Sequence, residues 1–401
     1  MASVGGAKLR RKNLIITNGT IITDQLITQG TVVTIGDRIM YVGDETEGTR
    51  IKRAADPSVF EIIDVKGGFI GPGLIDVHMH GSGGLELMDG TPEALGTMAR
   101  YLAKHGTVGF LPSTVTAVEG KTKAAAELVA NYVGGEGEAE VLGVHLEGPY
   151  INEKYKGAQY GPAIRQASIA ELEELYDILG DKLRLITLAP EVPGSWEAIG
   201  WLKERGITIS IGHSDATYEQ AVEGFRQGIT HATHTYNGMR GLHHREPGVL
   251  GAILATPQIW AELIADLIHV HPGAIQVMVR SVGVNRIVLI PDAVQATGLP
   301  EGEYVLGDQR IFVKDGAARL PEGNLAGSTL SMLQAVRNMI EEIGVSITDA
   351  FRMASFNPAQ SIGLQDKGWI REGNQADFVI LSQDFAVQKT IIAGKVVYNA
   401  D

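Results

Sequence analysis

The chain has 401 residues, 44% of them hydrophobic, and a formal net charge of −13. This length and composition can build one large domain and a smaller one. The charge argues against nucleic acid or an anionic membrane as a partner, because either would require a basic face, and an anionic small substrate would need a local basic pocket. The chain contains no cysteine, which excludes disulfides and thiolate ligands, so a metal site would have to use histidine and carboxylate.

The first twelve residues are polar and basic and predict a loose tail rather than a targeting signal. The sequence also lacks an apolar stretch of the length that a transmembrane helix needs. We therefore expect a cytoplasmic protein.

Short β-rich runs separated by turn residues occupy both ends of the chain. They lie between residues 13 and 70, with Asn-Gly and Gly-Asp turns, and again between residues 376 and 398, with a turn at Ala393-Gly394. Similar ends around a different middle predict that the termini pair into one small β-domain. We place this domain at residues 1–70 plus 366–401, and the larger domain at residues 71–365.

The middle of the chain alternates short β-branched runs with amphipathic helical stretches. Eight strands alternating with helices are typical of a (β/α)₈ TIM barrel, and a doubly wound open sheet is the structural alternative. The barrel is favoured because polar residues follow strands 1, 3, 5, 6 and 8, and a closed barrel brings those five strand ends around one space. The predicted strands are Leu74–His78, Val108–Leu111, Val141–His145, Leu183–Leu188, Ile207–Ile211, Ile229–Thr233, Ala261–Ala265 and Arg286–Ile290. Helices are expected after Ser328 and Thr348.

His78 and His80 form a His-X-His pair at the end of the first predicted barrel strand. Alternate side chains of a strand share a face, so these two imidazoles can converge on one ion while Met79 packs the other way. An isolated pair of this kind also fits a surface turn. Further polar residues at the other strand ends favour a metal site.

Four such residues follow along the chain. Glu147 lies before a Gly-Pro break and can ligate or bridge divalent metals, although alone it also fits a solvated loop. His213 and His234 end strands 5 and 6, whereas His231 has the opposite parity or lies deeper and is interpreted as a packed or supporting residue. Asp292 ends strand 8 and is the best candidate for a general base.

These residues lie in a collinear set of motifs that resembles the N-acetylglucosamine-6-phosphate deacetylases of the amidohydrolase superfamily. The resemblance covers nearly the whole chain, including both β-rich ends, and implies a metal-bearing barrel with a small β-sandwich built from both termini. His-X-His marks the superfamily, whereas His-Leu-Glu-Gly-Pro with Arg-Glu-Pro-Gly points to the deacetylase branch. The motifs are Pro72–Gly81, His145–Pro149, Gly212–Ser214, Thr233–Met239, Arg245–Gly248, Ile264–Asp266 with His269, Asp292–Ala293 and Leu325–Ser328.

The resemblance also implies roles for individual residues. Glu147, His213 and His234 match the ligands of the catalytic metal, and His78 with His80 can hold a second ion, with Glu147 bridging. Asp292 matches the aspartate that takes a proton from the attacking water and gives it to the departing amine. We expect one or two divalent ions per subunit, and a His and carboxylate set accepts zinc, iron, manganese or cobalt.

Substrate recognition is expected from a second set of residues. Arg245 offers a guanidinium fork suited to phosphate, although a surface salt bridge is the plain alternative, and the neighbouring His243 and His244 fit either phosphate binding or an exposed loop. Asn237 and the amide of Gly238 would add neutral donors. His269 matches a histidine that in several relatives reaches the substrate from the neighbouring subunit, which implies a homodimer.

Two positions depart from the family pattern. Gln159 stands where many relatives have histidine, and it can donate a hydrogen bond but cannot carry charge. Leu267 stands where glycine is usual and would reshape the pocket or displace a loop. The predicted reaction is metal-dependent hydrolysis of an N-acetylhexosamine 6-phosphate to the amine and acetate. The alternatives within the superfamily are the galacto substrate and an unphosphorylated amide. A catalytically silent scaffold is a third alternative, and the intact set of polar groups argues against it.

Overall fold

The amino-terminal segment forms most of one sheet. The computed structural model describes residues 12–400, so that most of the predicted tail (residues 1–11) and residue 401 lie outside the described residues. β1 pairs antiparallel with β2, and β2 with β3, as the turn signals predict, while β4 and β5 run parallel to β1. The elements are β1 (Asn13–Ile22), β2 (Leu26–Ile35), β3 (Arg38–Gly43), α1 (Glu45–Ala54), β4 (Phe60–Asp64) and β5 (Phe69–Pro72).

The middle segment alternates strands and helices. Each of the eight predicted barrel runs contains a strand, although the third run is divided at Gly143, where a side chain would collide with Lys182 and Arg184. The elements up to the last of these strands are β6 (Leu74–Met79), β7 (Gly81–Ser82), β8 (Leu85–Glu86), α2 (Pro92–Lys104), β9 (Thr107–Pro112), α3 (Glu119–Asn131), β10 (Glu140–Val141), β11 (Val144–Glu147), α4 (Ile169–Leu179), β12 (Leu183–Leu188), α5 (Ser195–Glu204), β13 (Thr208–Ile211), α6 (Tyr218–Gln227), β14 (His231–Ala232), α7 (Gly248–Ala255), β15 (Trp260–Ile264), α8 (Pro272–Ser281) and β16 (Ile287–Ile290).

These strands pair in parallel and in chain order. One sheet contains β6, β9 and β10, and another runs from β11 to β16. Parallel bridges join the two sheets at both sides, between Ser113 and His145 and between Met79 and Ala293. The order has no reversal of the kind that defines a doubly wound sheet among the described strands.

An antiparallel meander follows that the sequence analysis did not predict. It contains β17 (Gly302–Leu306), β18 (Gln309–Lys314), β19 (Ala317–Arg319) and β20 (Leu325–Ser328). The chain then forms α9 (Met332–Asn338), α10 (Ile347–Phe351) and α11 (Asn357–Ser361), which include the helices expected after Ser328 and Thr348.

The carboxy-terminal strands return to the first sheet. β21 (Phe378–Leu381), β22 (Val387–Ile392) and β23 (Lys395–Asn399) extend it, with Phe378 of β21 opposite Pro72 of β5 in an antiparallel register. Both ends of the chain therefore share one sheet with its own apolar core. The α/β class is confirmed. Within residues 12–400, no helix combines the length and apolarity needed to cross a membrane.

Candidate active site

Six predicted site residues converge at the carboxyl ends of the parallel strands. His78 belongs to β6, and Glu147 is the last residue of β11. The others come directly after a strand or within two residues of one. All six side chains are buried, and the site set is His78, His80, Glu147, His213, His234 and Asp292.

Glu147 lies at the centre of the four imidazoles. Its Oε1 is 3.1 Å from Nε2 of His213 and 3.1 Å from Nε2 of His234. The same oxygen is 3.4 Å from Nε2 of His78, and Oε2 is 3.4 Å from Nε2 of His80. Each imidazole therefore presents the same ring nitrogen to one carboxylate.

The other ring nitrogen of each imidazole faces an acceptor. Nδ1 of His213 is 2.8 Å from the carbonyl oxygen of Tyr155, and Nδ1 of His234 is 3.1 Å from that of Asn237. Nδ1 of His80 is 3.2 Å from the carbonyl oxygen of Ser113. Because a carbonyl can only accept, Nδ1 carries the proton in each case, and Nε2 of the neutral ring carries a lone pair.

This arrangement brings lone pairs together. Nε2 of His213 and Nε2 of His234 are 3.1 Å apart, and both face the Glu147 carboxylate. Nε2 of His78 and Oδ1 of Asp292 are buried without a hydrogen-bond partner. Facing acceptors repel one another unless a cation or added protons lie between them. Two groups of three residues are close enough to hold a cation: Glu147 with His213 and His234, and Glu147 with His78 and His80. The residues present therefore fit a divalent metal.

The electrostatics of the cluster point the same way. Burial lowers the pKa of His80, but Asp292 and Glu147 outweigh burial and raise it to about 9. Burial raises the pKa of Asp292, but His78 and His80 outweigh it and hold the pKa below its ordinary value. Asp292 is thus a carboxylate at neutral pH, as a general base requires, and the nearby carboxylates also raise the pKa of His78 and His234.

Three of the site residues have an unusual backbone conformation. φ is +48° at His213, +28° at His234 and +50° at Asp292, in the region that disfavours residues other than glycine. Such strain concentrates at functional sites. Gly238, with φ of +59°, completes the turn after His234.

The cluster opens into a pocket. Four of the predicted substrate residues line it: Gln159, Asn237, Gly238 and His269. The side-chain amide nitrogen of Asn237 is buried without a partner, and His269 is held by a 2.7 Å contact to Asp266.

Comparison with known proteins adds to this geometry. The sequence profile of the amidohydrolase family matches residues 69–397. The chain belongs to the amidohydrolase family. It is similar to an N-acetylglucosamine-6-phosphate deacetylase of Vibrio furnissii, with 44% identity over 82% of this chain and 83% of the relative. It is also similar to an N-acetylgalactosamine-6-phosphate deacetylase of Escherichia coli O157:H7, with 41% identity over 85% and 91%.

A solved structure is similar over almost the whole chain. The N-acetylglucosamine-6-phosphate deacetylase of Pasteurella multocida has a TM-score of 0.89 and 29% identity, covering 96% of this chain and 100% of that one. The predicted resemblance is thus confirmed. This amidohydrolase is a hydrolase of amide bonds, in a family that generally depends on divalent metal.

Arg245 does not line the pocket of this amidohydrolase chain. It is exposed, beside His244 at 2.7 Å, and borders a separate depression with Arg240 and Thr217. His243 and His244 are exposed as well.

Leu267, one of the two departures, has φ of +66° and is half-buried against the apolar core. The conformation explains why glycine suits this position. Its side chain lies outside the set that lines the pocket.

Two buried residues of the site were not identified from the sequence. Glu262 of β15 is fully buried, and its Oε2 is 3.0 Å from Nδ1 of His78 while its Oε1 is 3.2 Å from Nε2 of His231. His145 stacks edge-on against His78, with ring centroids 4.5 Å apart, and is bound by Ser113 and Thr187. A charged residue inside an apolar strand was the available signal for Glu262.

Proposed function

We propose that this protein hydrolyses the acetamide of N-acetyl-D-glucosamine 6-phosphate to D-glucosamine 6-phosphate and acetate. The observation that carries the proposal is the convergence of Glu147 and four imidazole Nε2 atoms beside Asp292 in one pocket. The substrate is inferred from the similarity to N-acetylglucosamine-6-phosphate deacetylases. The similarity to an N-acetylgalactosamine-6-phosphate deacetylase makes the galacto epimer the second candidate.

Glu147, His213 and His234 would hold a divalent cation, and His78 with His80 a second one, with Glu147 shared. Zinc, iron, manganese and cobalt all suit this ligand set. When bound, a cation of this kind makes water easier to deprotonate near neutral pH and polarises an amide carbonyl.

Asp292 would act as the proton carrier. Its ionised carboxylate lies 3.2 Å from His80 and faces the pocket. Asp292 takes a proton from the attacking water as the new C–O bond forms. It then delivers that proton to the nitrogen as the C–N bond breaks, so that the amine leaves uncharged.

The polar residues of the pocket would orient the sugar. The unpaired amide of Asn237, the backbone N–H of Gly238 and the imidazole of His269 are available to its oxygens, with Gln159 beside the reacting group.

The phosphate needs a cation that this chain's pocket does not provide. Among the described residues that line the pocket, none is lysine or arginine. We therefore assign phosphate binding to Arg245 of a second copy in a homodimer, because Arg245 is exposed and outside its own pocket.

We also propose the architecture that the sequence predicts. The bridges Ser113–His145 and Met79–Ala293 support a closed (β/α)₈ barrel over residues 71–365. The sheet shared by both ends supports a small β-sandwich domain from residues 1–70 and 366–401. A cytoplasmic location fits a phosphorylated sugar substrate.

Acetate release tests the function. We would compare N-acetylglucosamine 6-phosphate, its galacto epimer and unphosphorylated N-acetylglucosamine, with and without a chelator, using Asp292→Asn as the inactive control. Fast, chelator-sensitive release from the first substrate supports the proposal. Release only from the galacto epimer, or only from an unphosphorylated amide, overturns it.

A mixing experiment tests the shared site. Arg245→Ala should lower kcat/KM for phosphorylated substrate and leave the unphosphorylated sugar unaffected. If Arg245 acts in its neighbour's pocket, mixed dimers of Arg245→Ala and Asp292→Asn contain one pocket with both residues intact. Recovered activity on mixing supports the homodimer, and additive residual activity contradicts it.

A further inference from the structure

Gln159 connects two neighbouring strand ends beside the proposed cation. Its side chain is buried, with 5% exposed. The backbone N–H of Thr116, in the loop after β9, lies 2.6 Å from its Oε1, and its Nε2 contacts Oε2 of Glu147 at the end of β11.

These two contacts determine the orientation of the amide. The N–H of Thr116 can only donate, so the oxygen of the Gln159 amide must face it. The amide nitrogen therefore faces Glu147 and donates to its Oε2. A carboxylate that accepts this bond cannot turn freely, so Oε1 remains the oxygen that lies 3.1 Å from His213 and His234.

The same loop supports a second residue of the cluster. The carbonyl of Tyr155 accepts from Nδ1 of His213, and the N–H of Asn152 donates to the carbonyl of His213 at 2.8 Å. Gln309 of β18 donates to the carbonyl of Ala158 in the same loop, and no hydrogen bond among the described residues joins it to Glu147 or His213. The loop from residue 152 to 159 thus aligns both Glu147 and His213.

We propose that Gln159 is a positioning residue that holds Glu147 in its cation-binding orientation, rather than acting chiefly as a substrate contact. The inference rests on the proposed function in that Glu147 must be a cation ligand. It assigns a role to the position where this chain departs from histidine. Neutral imidazole also offers one acceptor and one donor, so histidine can satisfy the same two partners.

Cobalt binding by the full-length protein tests the proposal without relying on activity. We would titrate chelator-stripped protein with Co²⁺ against a competing indicator and record its visible absorption spectrum. Gln159→Met removes both hydrogen bonds at similar length and should weaken Co²⁺ affinity by roughly ten- to hundred-fold, the usual effect of losing a residue that supports a ligand, and should change the spectrum. Gln159→His should restore the affinity to within a few-fold of the wild type.

Gln309→Met is the matched control, because the same substitution removes a glutamine hydrogen bond to the loop backbone and leaves both bonds of Gln159 in place. Its Co²⁺ affinity and spectrum should resemble those of the wild type. If Gln159→Met unfolds, Gln159→Asn replaces it, because the shorter amide cannot reach both partners and should show the same loss.

The outcomes separate the two proposals. Wild-type affinity and spectrum in Gln159→Met, with only KM raised, would overturn the positioning role and make Gln159 a substrate contact. A wild-type protein that takes up no Co²⁺ would instead overturn the proposed function itself. Loss of affinity in Gln159→His equal to that in Gln159→Met would also count against the positioning role, because the donor and acceptor would not be what matters.

Discussion

Glu147 and Glu262 are two buried carboxylates surrounded by histidines, and they have opposite surroundings. Glu262 faces donors: the N–H of His234 at 3.0 Å and Nδ1 of His78 at 3.0 Å. Glu147 accepts one N–H from Gln159 but otherwise faces Nε2 atoms of imidazoles whose protons lie on the other nitrogen, and it lines the pocket. Glu262 is fully enclosed.

The difference shows that residue type alone does not decide what a buried cluster does. Oε2 of ionised Glu262 is matched by two N–H groups, so this carboxylate can anchor the site without a metal, while its Oε1 lies 3.2 Å from Nε2 of His231. The environment of Glu147 is balanced only when a cation or protons join it. His78 connects the two, because its Nδ1 contacts Glu262 and its Nε2 faces Glu147. An anion at Nδ1 holds the proton there and makes Nε2 a better ligand.

The largest effect is expected from Glu147→Gln. The amide removes the charge that both proposed cation positions share, so cation affinity should fall by more than the roughly hundred-fold that a supporting residue contributes. Metal content after dialysis and acetate release measure this. A Glu147→Gln protein that retained its metal would show that the lone-pair cluster is not the binding site.

Glu262→Gln should have a smaller effect. Glutamine keeps the shape but removes the anion at Nδ1 of His78, so cation affinity should fall by roughly ten- to hundred-fold, mainly at the position that uses His78 and His80. The measurement is the metal-to-protein ratio across a titration. Glu171→Gln is the control, because this buried carboxylate binds Tyr150 and Arg165 instead. Equal losses in both variants would indicate general destabilisation.

The pH dependence should distinguish protons from cations at the Glu147 cluster. The pKa of His80 is raised to about 9 in the metal-free protein, so protons occupy this ring across the neutral range and must leave when a cation binds. Affinity should therefore rise with pH up to about 9, by about tenfold per pH unit for each proton released.

Without a bound cation, the free energy of unfolding of the protein should instead fall as the pH rises. A raised pKa stabilises the fold fully below the ordinary value of 6.5 and loses that contribution as the pH rises through about 9. Calorimetric titration of the protein with the cation, in two buffers of different ionisation enthalpy, would detect the protons that are released when the cation binds. Affinity that does not change with pH would contradict the proposed exchange of protons for a cation.

The sequence predicted the residues around Glu147 better than those around Glu262 for a physical reason. Parallel strands end at a common edge, so polar residues directly after predicted strands can be placed together without knowing the packing. Glu262 lies within β15, and only the packed structure shows that it faces His78 and His231.

Other features depended on long-range contacts in the same way. The meander β17–β20 has a turn signal at Asp315-Gly316, but its strands alternate too irregularly to be recognised by period alone. The pairing of β5 with β21 joins segments that are distant in sequence, and only the similar texture of both ends indicated it. The place of Arg245 outside its own pocket was not predictable, because loop conformation leaves little periodic signal.

The smallest effect is expected from Gly238→Ala, which adds a methyl group against two of the imidazoles that face Glu147. A methyl group at Gly238 would lie 3.0 Å from Nδ1 of His213 and 3.2 Å from Cε1 of His234. Both rings would have to give by a few tenths of an ångström, so we expect cation affinity to fall by several-fold with the stoichiometry unchanged.

Gly36→Ala separates this shift from backbone strain. Gly36 has φ of +63°, close to the +59° of Gly238, but open space around it. Both variants should lose about 1 to 2 kcal/mol of stability from the left-handed conformation, and only Gly238→Ala should lose affinity. Equal affinity in the two variants would mean that the imidazoles at Glu147 tolerate displacement. The exact positions of the imidazole Nε2 atoms would then matter less for cation affinity than the charge of the Glu147 carboxylate.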